Sequence, residues 1–331
     1  MEVPYYLILA YYGAVSYITS RNVILRTYEC ATNFGRDPFY NTGKSLKKLL
    51  AKILSSDFHD LEVICVDDCS TDNSHEIISK IKDGRLVLCK TEVNMGSAAA
   101  RNLGLQKVRG KYVVFLDSDD DIADNYFEKM LGIISDKDVV LGVCGIQQKY
   151  LKANPVKTIN KFISAPIERG VGSWKEYILS LMIADGRLYS SVNKIYLADT
   201  IRKKKISFDE ALNFAEDTKF VLDYLGCFDA STRIAFVPEA LYIYNYGTAT
   251  SVVASSSLSW NNWQKSYDDI LKWLGHEPSK SETKLLARLK RRFQISHALA
   301  VARSPLSIKE QKEFLNLPTL IAAKLVVKIK H

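Results

Sequence analysis

Cysteine is scarce and carries no pattern. Six cysteines are scattered through 331 residues without a single Cys-x-x-Cys pair, which leaves neither a zinc site nor a disulfide framework to read. Cys65 and Cys144 fall inside apolar runs, where a thiol behaves as a small hydrophobe; a reducing, cytosolic setting fits. Glycine (16) and proline (8) are also sparse. With no fixed-period repeat, that excludes collagen-like, low-complexity and solenoid architectures. A long apolar run is missing too. Residues 3–20 carry no charge, but Pro4, Gly13 and Ser16 interrupt them, and they fall short of the ~20 residues of a membrane span. Only Glu2 precedes them, so the basic start of a signal peptide is absent. The stretch reads as a packed or non-native segment.

What remains is 47% apolar and 25% charged, ample for one large domain or two modest ones. The net charge of +8 is unevenly placed: residues 280–331 hold 12 Lys/Arg against 3 Glu. A basic tail on a nearly neutral body points to a local contact with an anionic surface; a solvated helical face is the competing reading. Residues 284–295 and 317–330 interleave apolar and basic positions as interfacial helices do. No aromatic-basic binding motif accompanies the charge, so nucleic acid is not expected as a partner.

From residue 41 the pattern is regular. Leu46, Leu49, Leu50 and Ile53 follow helical spacing. Short apolar runs at 61–68, 85–90, 111–116 and 138–146 alternate with helical stretches at 71–82, 97–108 and 123–135, which predicts βαβ units and a mainly parallel sheet flanked by helices. The apolar runs do not alternate with polar residues, so both sheet faces should be covered. Helices are expected at 173–183 and 213–225, a strand at 234–246, and a basic helical region at 256–331. The expected organisation is an atypical segment at 1–37, a catalytic α/β domain at 38–255 and the helical C-terminal region after it.

Two of the strands end in acids, Asp67-Asp68 and Asp117-Ser118-Asp119-Asp120-Asp121. Ligands of such sheets bind beyond the carboxyl ends of the strands. Crowded carboxylates call for a neutralising cation, and Mg²⁺ or Mn²⁺ takes one or two of them together with substrate phosphates. Acidic turns and helix caps also produce these patterns, and that reading is expected for Asp120 and Asp121.

The combination is more specific than its parts. Pro38-Phe39-Tyr40-Asn41, Val66-Asp67-Asp68-Cys69-Ser70-Thr71-Asp72, Asn94-Met95-Gly96, Ala100-Arg101-Asn102-x-Gly104 and Phe115-Leu116-Asp117-Ser118-Asp119-Asp120 occur in that order. So ordered, the chain resembles the inverting family-2 glycosyltransferases of the GT-A (Rossmann-like) fold, of the kind that build bacterial surface polysaccharides. Asn193-Lys194-Ile195-Tyr196, Phe208-Asp209-Glu210, Ala215-Glu216-Asp217-Thr218 and Leu241-Tyr242-x-Tyr244 extend the resemblance to about residue 252.

The resemblance implies transfer of a sugar from a nucleotide-sugar donor, a UDP-sugar by preference, to a hydroxyl of a glycan or lipid-linked saccharide. It places Pro38, Tyr40, Asn41 and Asp68 in the nucleotide pocket, with Asp68 accepting the base N–H, and Asn94, Gly96 and Arg101 over the ribose and diphosphate. For Arg101 a structural salt bridge is the alternative. Asp119 resembles the direct ligand of Mn²⁺ or Mg²⁺, with Asp117 and Ser118 beside the ribose and sugar and Asp117 able to share the metal. Glu216-Asp217 resembles the motif that supplies the base, with Asp217 favoured; the alternative has Asp217 capping its helix while Glu216 touches substrate. Ser251 lies in a looser match near the diphosphate, and His59 and His75 read as surface residues.

One departure puts the pocket floor in doubt. The family's strand before Pro-x-Tyr-Asn is strongly apolar, whereas residues 31–37 read ATNFGRD. Either an irregular sequence builds that strand or residues 1–37 are not native. Three other readings stay open. A nucleotidyltransferase lacks its Gly-rich basic loop here, a phosphoacceptor module would not need Glu216-Asp217, and an inactive sugar- or nucleotide-binding scaffold would share every motif. The basic tail implies a peripheral position on the inner face of the membrane.

Overall fold

The alternation of apolar runs and amphipathic stretches resolves, in a computed structural model, into a mixed sheet with helices. The structure describes residues 42–70, 73–151, 155–161, 172–184, 186–212, 214–246, 259–303, 307–316, 319–320 and 323, and the backbone of 7–11, 14–19 and 23–24. Pro38, Tyr40, Asn41, Thr71, Asp72, Ser251 and most of 317–330 lie outside them.

In chain order, β1 (Leu7–Tyr11), β2 (Ala14–Thr19) and β3 (Val23–Ile24) precede α1 (Thr42–Leu54). Helix α1 buries Leu46, Leu49, Leu50 and Ile53 on one side and exposes Lys47 and Lys48 on the other, as its spacing dictates. There follow β4 (Glu62–Asp67), α2 (Ser74–Ser79), β5 (Leu86–Lys90), α3 (Ser97–Leu105), β6 (Tyr112–Asp117), β7 (Asp121–Ile122), α4 (Tyr126–Ile134), β8 (Val139–Tyr150) and β9 (Lys157–Lys161). After α5 (Trp174–Ala184) and a 3₁₀ turn at Gly186–Tyr189 come β10 (Lys194–Leu197), α6 (Ala198–Lys204), α7 (Glu216–Leu225) and β11 (Arg233–Tyr246). The last elements are α8 (Trp260–Leu274), α9 (Lys280–Arg303) and α10 (Ile308–Phe314).

The strands form one sheet ordered β3-β5-β4-β2-β6-β10-β8-β11-β7, with β1 on β2 and β9 on β8. Strands β4 and β6 are buried at every position, the burial expected of strands covered on both faces. The expectation of a mainly parallel sheet is corrected. Parallel pairing joins β3, β4 and β5, and β8 with β11, while β2 and β10 lie antiparallel to both of their sheet neighbours. Strands β8 and β9 add a further antiparallel pair, joined by a short link that permits a hairpin but no crossover helix. An apolar run reads the same in either direction, so its residues do not announce which it takes.

The direction of β2 settles where the acids lie. Strands β4 and β6 each run antiparallel to it and therefore parallel to one another, so their C-terminal ends share one edge of the sheet. Asp117 stands opposite Val15 at that edge. Beneath it, Phe115 packs edge-on against Tyr196 of β10 at 5.6 Å and Phe208 at 5.1 Å, each pair adding about 0.5–1.5 kcal/mol beyond burial.

The chain divides into two compact units that interleave in sequence. The first takes residues 1–168, 190–210 and 227–251, the second 169–189, 211–226 and 252–331. The second is helical. In it α9 buries Leu286, Leu289, Phe293 and Val301 and exposes Lys284, Arg288, Lys290 and Arg291. Leu286, Leu289 and Phe293 of the stretch at 284–295 are therefore spent on packing, while Ile295 and most of the basic positions face solvent. No described helix is long and apolar enough to cross a membrane.

Candidate functional site

The rim of the first unit is built by two turns that leave parallel strands. At the end of β4, Asp67 and Asp68 are both buried. Asp67 Oδ1 accepts the Ser70 N–H at 2.9 Å, and its Oδ2 lies 2.9 Å from His75 Nδ1 on α2. Asp68 reaches across to the loop before α3. It accepts the Thr91 hydroxyl at 2.8 Å, the Met95 N–H at 3.0 Å and the Gly96 N–H at 3.1 Å. Its carboxylate thus fixes the course of the chain through Asn94, Met95 and Gly96.

Gly96 holds φ +92° and ψ 163° at the N-cap of α3, and a Cβ there would meet nothing within 4 Å. Glycine is needed for the backbone conformation and not for lack of room. Asn94 is exposed on this loop. Arg101, one turn into α3, is buried with its guanidinium 4.9 Å from the centre of the Phe208 ring. The next residue, Asn102, accepts the Phe208 N–H at 2.8 Å and donates to Phe208 O at 2.9 Å and Glu210 Oε1 at 2.8 Å. The Ala-Arg-Asn motif therefore ties the Phe-Asp-Glu motif to α3.

At the end of β6, Asp117, Ser118, Asp119 and Asp120 are all buried. The turn is braced from β11. Tyr242 OH accepts the Asp117 N–H at 3.2 Å and donates to Asp120 Oδ2 at 2.5 Å. Asn245 gives its N–H to Asp120 Oδ1 at 2.8 Å and its side-chain amide to Asp119 O at 2.6 Å. Asp120 thus does more than turn the chain: it joins the acid turn to β11. Burial, and then the neighbouring Asp119, push the Asp120 carboxyl well above the usual carboxylate range. Burial, followed by Asp117 and Asp120, pushes the Tyr242 phenol up as well. Asp121 opens β7 and pairs with Lys48 and Lys52 of α1, each at 3.3 Å.

With Tyr242 and Asn245 committed to Asp120 and to the backbone, Asp117 and Asp119 supply the hard oxygen donors at this rim, the donor type that suits Mg²⁺ or Mn²⁺. Among the described residues no group of three or more His, Cys, Asp or Glu is arranged to hold a metal alone.

Glu216 and Asp217 belong to the second unit. They are the first two residues of α7, after Ala215, which takes the N-cap position in the left-handed region at φ 62°. Asp217 is therefore not the capping residue, although a carboxylate in the first turn still favours the helix dipole. Glu216 is buried and Asp217 half-exposed.

Neither Tyr242 nor Asn245 stands out as a site residue in the sequence, nor does His75 beside Asp67. For Tyr242 the Leu-Tyr-x-Tyr match was the signal. Asn245, three residues on, had none.

Fold and rim together define an α/β domain of the GT-A type. Residues 38–191 match the model of the family "Glycosyl transferase family 2". An uncharacterized glycosyltransferase of Haemophilus influenzae is 40% identical over 124 residues, covering 37% of this chain and 50% of that protein; the match spans about half the relative's length. Among solved structures, Staphylococcus aureus TarS in complex with UDP-GlcNAc aligns with TM-score 0.55 at 20% identity, covering 86% of this chain and 77% of that one. The mannosyltransferase PcManGT of Pyrobaculum calidifontis, in complex with GDP-Man and Mn²⁺, aligns with TM-score 0.53 at 15% identity, covering 88% and 74%. Residues 38–191 thus match the family-2 glycosyltransferases, and the chain shares the fold of these GT-A structures.

Proposed function

We propose that the protein moves a sugar from a nucleotide-sugar donor to a hydroxyl of a glycan or lipid-linked saccharide, with inversion at the anomeric carbon. The observation that carries this reading is the braced acid turn at Asp117–Asp120, standing at the strand end where this family's donors bind. The UDP-GlcNAc of the S. aureus neighbour favours a UDP-sugar, and the Mn²⁺ of the archaeal one favours a divalent ion.

Asp119 would hold the ion, with Asp117 turned to the ribose and sugar and able to share it. When bound, the ion neutralises charge on the departing nucleoside diphosphate. Asp68 holds the 94–96 loop in the shape that closes over ribose and diphosphate, and its burial makes this positioning its main contribution to the nucleotide pocket. Pro38, Tyr40 and Asn41 complete the pocket floor on the family pattern. Asp217 takes the proton of the acceptor hydroxyl, a role that its partial exposure suits better than the burial of Glu216. The exposed basic face of α9 draws the protein to an anionic leaflet by charge rather than by insertion, so added salt should release it from anionic vesicles; salt-independent binding would refute that.

The test is transfer of labelled sugar from UDP-, GDP- and dTDP-sugars to a lipid-linked saccharide with Mn²⁺, the product linkage being read by NMR. One donor class should be used, giving a β-linkage from an α-donor. A retained configuration, or no transfer from any donor, would contradict the reading.

A further inference from the structure

The second unit contains a cavity that no step above uses. It lies between α7 and α8, has a volume of about 260 Å³, and is lined by Lys219 and Asp223 from one helix and Asp269, Lys272 and Trp273 from the other. We propose that it is a saccharide subsite that holds a neutral sugar ring of the acceptor.

Three features lead to that occupant. The lining has two ammonium and two carboxylate groups, so its formal charge sums to zero, which favours a hydroxyl-rich ligand over a phosphate or a carboxylate. The charges are arranged as pairs, Lys219–Asp223 at 2.6 Å and Lys272–Asp269 at 3.5 Å. Each pair sets acceptors beside donors, the pattern that vicinal hydroxyls match. The pairs are partly exposed, so exchanging part of a pair for a hydroxyl costs little. The volume falls just below the about 300–1,000 Å³ of pockets for drug-sized molecules, which suits one sugar ring beside an indole.

The place of the cavity in the chain ties it to acceptor binding. Its lining begins at Ala215 and Thr218, the residues that flank Glu216-Asp217. A ring held there lies within a turn of the helix of the proposed base. The walls are fixed: Thr218 Oγ1 donates to Tyr189 O at 3.0 Å and Trp174 Nε1 to Leu225 O at 2.9 Å. Gly226, which closes α7, lets Trp273 settle against it, since a Cβ there would stand 2.8 Å from the indole nitrogen.

The inference rests on the glycosyl-transfer reading but can fail separately. Saturation-transfer NMR with the methyl β-glycosides of glucose, galactose and N-acetylglucosamine is run on the full chain, beside a thermal shift with UDP and Mn²⁺. At least one glycoside should bind, and Asp269→Asn should weaken it roughly tenfold, the loss of one hydrogen bond to a charged group. Lys272→Met, at a mostly exposed side chain, should weaken it in the same direction. No glycoside binding in a chain that still responds to UDP would overturn the subsite and leave the donor reading standing. Glycoside binding that neither variant alters, or that sulfate displaces, would overturn it as well. Glycoside binding without any nucleotide response would keep the subsite and remove the transferase reading.

Discussion

The two sets of acids in the proposed site are held in opposite ways. Asp117–Asp120 is a buried turn, clamped by Tyr242 and Asn245 from a strand more than a hundred residues away. Asp217 sits half-exposed at the start of a helix. A group that must present fixed charge to a metal and a diphosphate gains from being braced before substrate arrives. A base that meets a new hydroxyl in every turnover needs access. On the proposed roles the first site is built for geometry and the second for contact, and mutations should separate them.

The largest effect is expected at the half-exposed group. Asp217→Asn should lower turnover by about 10²–10⁴-fold, the usual weight of a general base, and leave nucleotide binding intact. Near-normal turnover would transfer the role to Glu216. Asp119→Asn should lower activity by about 10²–10³-fold and, unlike the first variant, abolish the response of nucleotide binding to Mn²⁺ in a titration. Removing the brace should act on stability before chemistry. Tyr242→Phe takes one donor from the buried Asp120 and the acceptor from the Asp117 N–H, at a cost of about 1–3 kcal/mol in urea unfolding. If its stability were unchanged, the clamp would be ornamental. Gly96→Ala should also cost about 1–3 kcal/mol, from a backbone conformation essentially confined to glycine, because the added methyl meets nothing. A larger loss would mean that the loop is more crowded than its geometry shows.

Much of this arrangement was legible in the residues. Helix α1 follows from the spacing of four apolar residues, and the acid clusters fall at strand ends because the apolar runs stop there. What could not be read is what depends on pairing across long separations. Nothing local to Tyr242 or Asn245 says that they meet Asp120, and nothing local to Asp68 says that it also accepts hydrogen bonds from the loop at 91–96. Strand direction was lost for the same reason: β10, which begins with Lys194 and stood in the sequence only as part of a motif, is made antiparallel by its neighbours. Amphipathic spacing marks α7 as a helix without saying which unit it joins. The basic stretch of α9 reads as an interfacial helix because periodicity shows an apolar face but not what covers it, and here Leu286, Leu289 and Phe293 are buried while Ile295 is exposed.

The account turns on the braced acid turn as a metal-assisted nucleotide site. A thermal-shift titration of the full chain and of Asp119→Asn with UDP, GDP, dTDP and CMP, each with and without Mn²⁺, tests this most directly, since a ligand that binds the native state raises its stability by mass action. The account predicts a Mn²⁺-dependent shift with one nucleotide, UDP before the others, that disappears in the variant. A shift that persists in Asp119→Asn, or none with any nucleotide, would contradict it.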